Sequence, residues 1–274
     1  MPISLIDTHC HLDSEAFDAD RERLVAQVRA FSQYDALVCA GFVSGFDKTR
    51  RVAHSLDLHY ALGIHPLYLP QLQEQQVRSL EIQLEVSQDD PRLAAVGEIG
   101  IDGFVKDLDL AAQTRLFAAQ LKLARRFALP VSIHARHAVD AVTAQLRRLP
   151  VVGGVIHAFN GSEQQARTLL AMGLKLGFGG ALTYAGSKRI RRIFAMLPDT
   201  GFVLETDAPD MPGTLRQDLA DRRTHPADIL HYAQEAAAIR GVSRDQLLAQ
   251  AAANALEAFP RLSPTPESGG ESFR

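Results

Sequence analysis

Tryptophan is absent from the chain, cysteine occurs only at Cys10 and Cys39, and no run of about 18 apolar residues is found. Two cysteines cannot build a disulfide framework, so the sequence excludes a disulfide-stapled fold and suits a reducing compartment. The missing apolar run argues against a membrane-spanning helix, and no basic-then-apolar leader opens the chain. We therefore expect a soluble, cytoplasmic protein, with no membrane partner, that acts as a monomer.

Neither positive nor negative charge is in large excess. The net charge is -3 over 274 residues, so no global basic field marks the chain as a nucleic-acid binder. Small basic clusters occur, but the cluster at 188–192 is interleaved with apolar residues at helical spacing, which is typical of an exposed helix face. The hydrophobic fraction of 46% is that of an ordinary globular protein.

Short apolar runs recur along the chain, and patterns of amphipathic helices separate them. Most are apolar on both faces, as buried parallel strands are. The runs read ISLIDTH, ALVCAGF, HYALGIHP, LAAVGEIGID, LPVSIHAR, VVGGVIHAFN, LKLGFGG and GFVLETDAP. Strands that alternate with helices in this way predict a (β/α)₈ barrel with C-terminal helices, and an open doubly wound sheet is the alternative. We expect one barrel domain over residues 1–260 and a disordered tail, rich in Pro, Ser and Gly, over residues 261–274.

Two histidines stand one residue apart where the first run ends. Residues i and i+2 of a strand share a face, so His9 and His11 can both point into the mouth of a barrel while Cys10 points away. Two imidazoles on one face can chelate a single metal ion, although a pair of core or surface histidines would give the same pattern.

Other predicted strands end on metal-binding side chains as well. Reactive groups of a barrel come from the C-terminal ends of several strands, so these side chains are expected to meet at one end of the fold. A structural ion pair remains an alternative for Glu98 taken alone, because a buried glutamate needs a partner. The six ligand candidates are His9, His11, Glu98, His134, His157 and Asp207.

Six candidates are more than one tetrahedral ion requires. They suit two ions a few ångströms apart that share a bridging carboxylate, an arrangement that performs hydrolysis. Imidazole with carboxylate favours zinc, manganese or another first-row ion, whereas magnesium usually prefers oxygen ligands. We therefore expect two divalent metal ions, with zinc, manganese and magnesium as the candidates.

The motifs DTHCHLD, GIHP, AVGEIGID, QLKLARRFALPVSIHAR, HAFNGS, GFGG and LETDAPDMP resemble, in order and spacing, those of the TatD-type metal-dependent deoxyribonucleases. The resemblance covers roughly residues 3–260 and implies an amidohydrolase-like barrel. It implies that His9, His11, Glu98 and Asp207 hold one divalent ion, and that Glu98, His134 and His157 hold the second. Glu98 and Asp207 would be catalytic, Glu98 as the bridge and Asp207 as the group that orients or deprotonates the attacking water.

The resemblance also implies hydrolysis of DNA phosphodiester bonds, often as a 3′-to-5′ exonuclease on single strands. His65 matches a position near the substrate, with a core histidine as the alternative. Glu205 is expected to contact the metal ligands from outside the site and to orient them. Segment 213–226 departs from the family pattern, with His225 before its proline. Phe159, Phe178 and Tyr184 could stack on a base, and core packing is the alternative for the two phenylalanines.

Other functions remain open at the level of sequence. Barrels of this type also hydrolyse other ester and amide bonds, so a lactonase or an aminoacyl-tRNA deacylase is the alternative enzyme. A protein that binds metal or nucleic acid without catalysis is the alternative of another class. Asp207 argues against it, because a structural metal site is usually closed and has no carboxylate left for water.

Overall fold

The computed structural model describes residues 4–69 and 73–262. Eight parallel strands follow one another in a single sheet in chain order, which confirms the predicted (β/α)₈ barrel over the open doubly wound sheet. The strands are β1 Ser4–Cys10, β2 Gln33–Cys39, β3 His59–Leu62, β4 Leu93–Asp102, β5 Val131–Arg136, β6 Gly154–Ile156, β7 Leu174–Phe178 and β8 Phe202–Leu204. The sheet is nearly closed, because the segment after β8 exchanges backbone hydrogen bonds with the end of β1 and the residue after it. The Asp207 N–H donates to the His9 carbonyl, and the His11 N–H donates to the Ala208 carbonyl.

Helices follow the strands and surround the sheet. They are α1 Arg21–Arg29, α2 Phe46–Ser55, α3 Gln73–Val86, α4 Leu110–Arg126, α5 Val139–Arg148, α6 Glu163–Ala171, α7 Lys188–Met196, α8 Ile229–Arg240 and α9 Arg244–Ala258. Helix α6 begins with a capping box formed by Ser162 and Gln165. Among the described residues, no helix has the length and hydrophobicity needed to cross a bilayer.

The last helix covers one end of the barrel. Ala252, Ala255 and Phe259 pack with Ile6 and Val203, whose side chains lie inside the barrel. The side-chain amide of Asn254 donates to the carbonyls of Asp199 and Phe202 at the start of β8. The N-terminal ends of the strands are therefore covered by α9, and the polar strand ends lie on the opposite side.

The chain remains packed just beyond α9. The Arg261 guanidinium donates to the carbonyls of Asp90 and Leu93, and Leu262 is buried. The rest of the predicted tail, residues 263–274, lies outside the described residues, as do 1–3 and 70–72. The domain boundary at 260 stays a prediction.

Helix α4 holds two backbone segments through buried glutamines. The Gln120 side chain accepts from the Ile64 N–H (2.7 Å) and donates to the Ile64 carbonyl (3.0 Å). Two turns earlier, Gln113 makes the same pair of bonds with the backbone of Asp102, at 2.7 and 3.0 Å. Both glutamines are fully buried. Each glutamine side chain pairs a backbone N–H and carbonyl that no neighbouring strand reaches. Each of these contacts, which we call a glutamine clamp, lies beside a polar strand end.

We expect Gln120→Met to lower the free energy of unfolding by about 2 kcal/mol or more, because the substitution keeps side-chain length but leaves the buried Ile64 N–H and carbonyl unpaired. For a chain of this size that corresponds to a fall in Tm of about 4–8 °C. The exposed Gln27 on α1 supplies the control, since Met and Gln have similar helix propensities and Gln27→Met should leave Tm unchanged. Equal Tm values for the two variants would show that the clamp contributes nothing.

Asp7 joins β1 to the end of β8. Its carboxylate accepts hydrogen bonds from the Thr206 N–H (2.9 Å), the Thr206 hydroxyl (2.5 Å) and the Tyr34 hydroxyl (3.4 Å). Burial raises the pKa of Asp7 to about 7, although these hydrogen bonds oppose the shift. An acid whose pKa is higher in the folded state than in the unfolded chain destabilises the fold as it ionises. Its contribution to stability therefore declines as pH rises from about 4 to about 7.

We expect Asp7→Asn to remove this decline. Asparagine cannot ionise, keeps one oxygen for the Thr206 N–H, and directs its amide at two hydroxyls that can turn to accept. In the presence of a chelator, the Tm of the variant should match wild type near pH 4 and exceed it by several degrees near pH 8. The exposed Asp89→Asn is the control, and a Tm difference independent of pH would contradict the argument.

Candidate metal centre

The structure brings the predicted site residues to one place at the C-terminal ends of the strands. Buried or half-buried side chains contribute from six strand ends: His9 from β1 and His11 after it, His65 after β3, Glu98 from β4, His134 from β5, His157 after β6, and Glu205 and Asp207 after β8. Parallel strands make this convergence a property of the fold, because all their carboxyl ends open on the same side.

Two imidazoles and two carboxylates form a first group. Glu98 Oε2 lies 3.3 Å from Nε2 of both His9 and His11, and Asp207 Oδ1 lies 3.6 and 3.5 Å from the same two nitrogens. The two nitrogens are 3.3 Å apart. Asp207 is held in the left-handed region with φ of 56°, which Asp tolerates better than most residues. The donor atoms of His9, His11 and Asp207 therefore lie within 4.8 Å of one another, close enough to hold a single cation, and Glu98 Oε2 lies beside both imidazoles.

The second oxygen of Glu98 faces a second cluster of imidazoles. Glu98 Oε1 lies 2.9 Å from His157 Nε2, 3.1 Å from His134 Nδ1 and 3.2 Å from His65 Nε2. The His134 and His157 nitrogens are 3.2 Å apart. One carboxylate, 2% exposed, therefore joins two clusters of imidazoles.

Outer hydrogen bonds determine which nitrogen of two histidines faces the centre. His11 Nδ1 lies 2.8 Å from the Cys39 carbonyl, and His134 Nε2 lies 2.9 Å from Asp102 Oδ2. Both partners can only accept, so each ring carries a proton on that outer nitrogen and can direct a lone pair inward. Burial opposes ionisation of Asp102, but the His134 contact and two backbone N–H groups outweigh it and lower the pKa of Asp102 to about 2.

His65 has the opposite arrangement. Its Nδ1 accepts a hydrogen bond from the Leu67 N–H at 3.1 Å. A neutral ring in this state carries its proton on Nε2, the nitrogen that points at Glu98. Proximity alone groups His65 with Glu98 and His134 as a set that could hold a metal ion. The hydrogen bonding instead makes His65 a donor at the edge of the centre.

His9 is supported by the neighbouring strand. Its Nδ1 lies 2.8 Å from Ser132 Oγ on β5. The approach of β4 to β5 depends on Gly97, because a Cβ there would lie 2.7 Å from Ser132 Cβ. The absence of a side chain immediately before Glu98 therefore lets the strands come close enough to hold both residues.

Glu205 lies behind the second group and is 1% exposed. It accepts a hydrogen bond from the Ala158 N–H at 2.5 Å, and its Oε1 is 3.8 Å from His157 Nδ1. Within the described residues, its Oε2 and His157 Nδ1 have no hydrogen-bond partner. Burial raises the pKa of Glu205 to about 8. Glu205 therefore presents a largely protonated carboxyl group near neutral pH.

Charges within the centre favour ionised carboxylates and protonated imidazoles. Burial opposes ionisation of Glu98, but His65, His157 and His9 hold its pKa well below the usual range. Burial also lowers the pKa of His157, yet Glu98 outweighs it and raises the value to about 9. His9 is the exception, since burial and His157 lower its pKa to about 4. The centre attracts positive charge, and a metal ion entering it would compete with protons.

Sequence reasoning missed Asp102, Ser132 and the Cys39 carbonyl, which orient three of the histidines. Asp102 carried a readable signal, because it stands four residues after Glu98 in the same strand and residues i and i+4 share a face. A backbone carbonyl leaves no mark in the sequence. The unusual His225 of segment 213–226 lies 2.8 Å from Asp221 within its own loop.

Comparison with known proteins agrees with this geometry. Residues 6–260 match the family model described as "TatD related DNase". An "uncharacterized metal-dependent hydrolase YjjV" of Escherichia coli is 38% identical over 210 residues, 76% of this chain and 80% of the relative. A "3'-5' ssDNA/RNA exonuclease TatD" of a Pantoea species is 30% identical over 262 residues, 93% of this chain and 99% of the relative.

Solved structures extend the likeness to three dimensions. The crystal structure of YjjV from Escherichia coli has a TM-score of 0.86 and 33% identity, and the match covers 93% of this chain and 98% of that one. An organophosphorus hydrolase from Deinococcus radiodurans, at 13% identity and a TM-score of 0.63 over 94% and 93% of the two chains, shares the fold alone. The chain belongs to the TatD family and is a metal-dependent hydrolase built on a (β/α)₈ barrel.

Proposed function

We propose that this chain hydrolyses phosphodiester bonds in DNA as a 3′-to-5′ exonuclease that acts on single strands or 3′ ends with two divalent metal ions. The observation that carries the proposal is the position of Glu98, whose two oxygens each face a separate cluster of imidazoles. A carboxylate shared by two ions is the arrangement used by hydrolases with two-metal centres. A curated relative named as a single-strand DNA/RNA exonuclease, which covers 93% of this chain, supports the substrate.

The donor set fits two ions of the first transition row. In our assignment His9, His11, Glu98 and Asp207 hold one ion, and Glu98, His134 and His157 hold the other. Imidazole nitrogens dominate, which favours zinc or manganese over magnesium. Bound there, the two ions would lower the pKa of a water molecule and stabilise the attacking and leaving oxygens.

The remaining steps belong to side chains of this chain. Asp207 orients the attacking water and accepts its proton, and the two histidines beside it keep its carboxylate ionised, because they lower its pKa against the effect of burial. His65, with its proton on Nε2, donates to a phosphate oxygen of the substrate. Glu205 holds the loop that carries His157 through the Ala158 N–H.

The direct test uses single-stranded DNA labelled at the 3′ or the 5′ end, with Mg²⁺, Mn²⁺ or Zn²⁺, beside a panel of lactones, carboxyl esters and aminoacyl-tRNA. We expect metal-dependent release of labelled mononucleotides at once from the 3′-labelled strand, and progressive shortening of the 5′-labelled strand. Turnover of a lactone or an aminoacyl ester without mononucleotide release would favour the alternative hydrolase.

We expect His134→Ala and His157→Ala each to lower the metal content by about one ion per chain while the circular dichroism spectrum stays unchanged, because strand ends of a barrel tolerate substitution. Metal analysis after gel filtration measures the content. His54→Ala is the matched control, since His54 lies on the surface of α2 beside Asp90 and should leave the content unchanged. Full occupancy in both ligand variants would refute the assignment.

Asp207→Asn should act on turnover rather than on substrate binding. Asparagine is nearly isosteric and keeps one oxygen, but it cannot accept the proton of water. Loss of a general base typically lowers kcat by about 10²–10⁴-fold. Asp210→Asn, on the same loop and exposed, should retain kcat. A metal-loaded Asp207→Asn enzyme with wild-type kcat would show that another group takes the proton.

A further inference from the structure

Two aromatic rings are exposed beside the metal centre. Phe42 follows β2 and is 44% exposed, and Tyr68, in the turn after β3, is 57% exposed. Their ring centroids lie 5.2 Å apart with an angle of 67° between the planes. We call this pair the aromatic shelf. Apolar rings that stay in water at the mouth of an enzyme are candidates for contact with its substrate.

Backbone contacts hold the shelf in place. A Cβ on Gly41 would lie 3.1 Å from the Tyr68 ring, and one on Gly45 would lie 3.0 Å from the Phe42 ring. The His65 N–H also donates to the Gly41 carbonyl at 2.9 Å, which ties the loop after β2 to the loop after β3. The two rings therefore rest against glycine backbone on loops that are joined to each other.

The shelf adjoins the centre directly. The Tyr68 ring centroid is 6.0 Å from that of His65, and His65 Nε2 is 3.2 Å from the bridging Glu98. A group bound at Glu98 thus has one imidazole between it and the nearer ring of the shelf. A planar substituent carried by that group would reach Tyr68 without leaving the barrel mouth.

Other aromatics near the centre are less available. Phe159 and Phe178, considered from the sequence as stacking residues, are 3% and 2% exposed and pack in the core. Tyr184, the third residue considered, is half-buried, and its hydroxyl donates to a backbone carbonyl at 2.7 Å. Phe104 is 51% exposed, but the Arg136 guanidinium lies over its ring at 3.7 Å and occupies a face. The shelf therefore offers the more accessible rings.

We propose that Phe42 and Tyr68 form a stacking site for a nucleobase of the substrate strand, an inference that rests on the proposed function. Both rings are uncharged, so they suit a base rather than a phosphate. Every base has a π-face, so the shelf would accept different bases and hold single strands without reading their sequence. Bases inside a duplex are already stacked and paired, so the shelf favours single-stranded over double-stranded substrate.

Kinetics provide the first test. Wild type, Tyr68→Ala and Phe31→Ala, each loaded with metal, are compared on a thymidine oligomer and on an abasic oligomer of equal length. Phe31 is the matched control, because it is 76% exposed at the end of α1, on the side of the barrel away from the centre. We expect Tyr68→Ala to raise KM about tenfold for the thymidine oligomer only, with kcat unchanged and with Phe31→Ala behaving as wild type.

The absence of tryptophan allows a second test that does not need catalysis. Tyr68→Trp introduces a single indole at the shelf, and Phe31→Trp introduces one far from it. We expect the thymidine oligomer to quench the emission of Tyr68→Trp, the abasic oligomer to leave it unchanged, and Phe31→Trp to respond to neither.

The two tests separate failure of the shelf from failure of the proposed function. If wild type cleaves no nucleic acid, the proposed function fails, and the fluorescence titration still decides whether the shelf binds bases. The shelf proposal is overturned if both oligomers, or neither, quench Tyr68→Trp. It is overturned equally if Tyr68→Ala slows cleavage of both oligomers alike, because the ring would then only support His65.

Discussion

The carboxylate of Glu98 is the feature on which the rest of the centre depends. A buried carboxylate is costly unless positive charge and hydrogen bonds surround it. Glu98 meets that requirement from both sides, with His9 and His11 at one oxygen and His65, His134 and His157 at the other. Protons or metal ions can supply the positive charge, so the same geometry that stabilises Glu98 also creates the affinity for cations.

Support for this carboxylate extends outward to the helix layer. Gln113 holds the backbone of Asp102, Asp102 Oδ2 lies 2.9 Å from His134 Nε2, and His134 Nδ1 lies 3.1 Å from Glu98. Gln120 grips Ile64, the residue before His65, in the same way. Helix α4 therefore helps to position two residues of the centre without a side chain in it. Outer contacts of this kind commonly tune metal sites as strongly as the ligands do.

Sequence reasoning reached the barrel and the convergence of its polar residues, because strand period and strand order determine both. It could not predict which histidines direct a lone pair at the centre and which direct an N–H there. His65 and His134 both end apolar runs, and they differ only in the partner of the outer ring nitrogen. The Leu67 N–H donates to His65, which leaves an N–H facing the centre, whereas Asp102 accepts from His134, which leaves a lone pair facing the centre. Gln113 and Gln120 were visible as polar residues within the apolar pattern of α4, but their backbone partners lie in distant parts of the chain. The exposure of aromatic side chains could not be predicted either, because the sequence does not distinguish the buried phenylalanines from the exposed pair of Phe42 and Tyr68.

The two ends of the barrel are unequal, and this inequality determines where substrate contacts can lie. At the N-terminal ends of the strands, Ala255 of α9 and Phe259 just beyond it pack against side chains inside the barrel. At the other end the donor atoms lie below a rim of loops that carries exposed rings and the Arg136 guanidinium. Under the proposed function, a nucleic-acid strand too long to enter the barrel would bring its reactive phosphate down to Glu98 while its neighbouring groups remain on the rim. In that arrangement the imidazoles and carboxylates inside the barrel mouth would act on the scissile bond, and the loops after β2 and β3 would contact the groups attached to it.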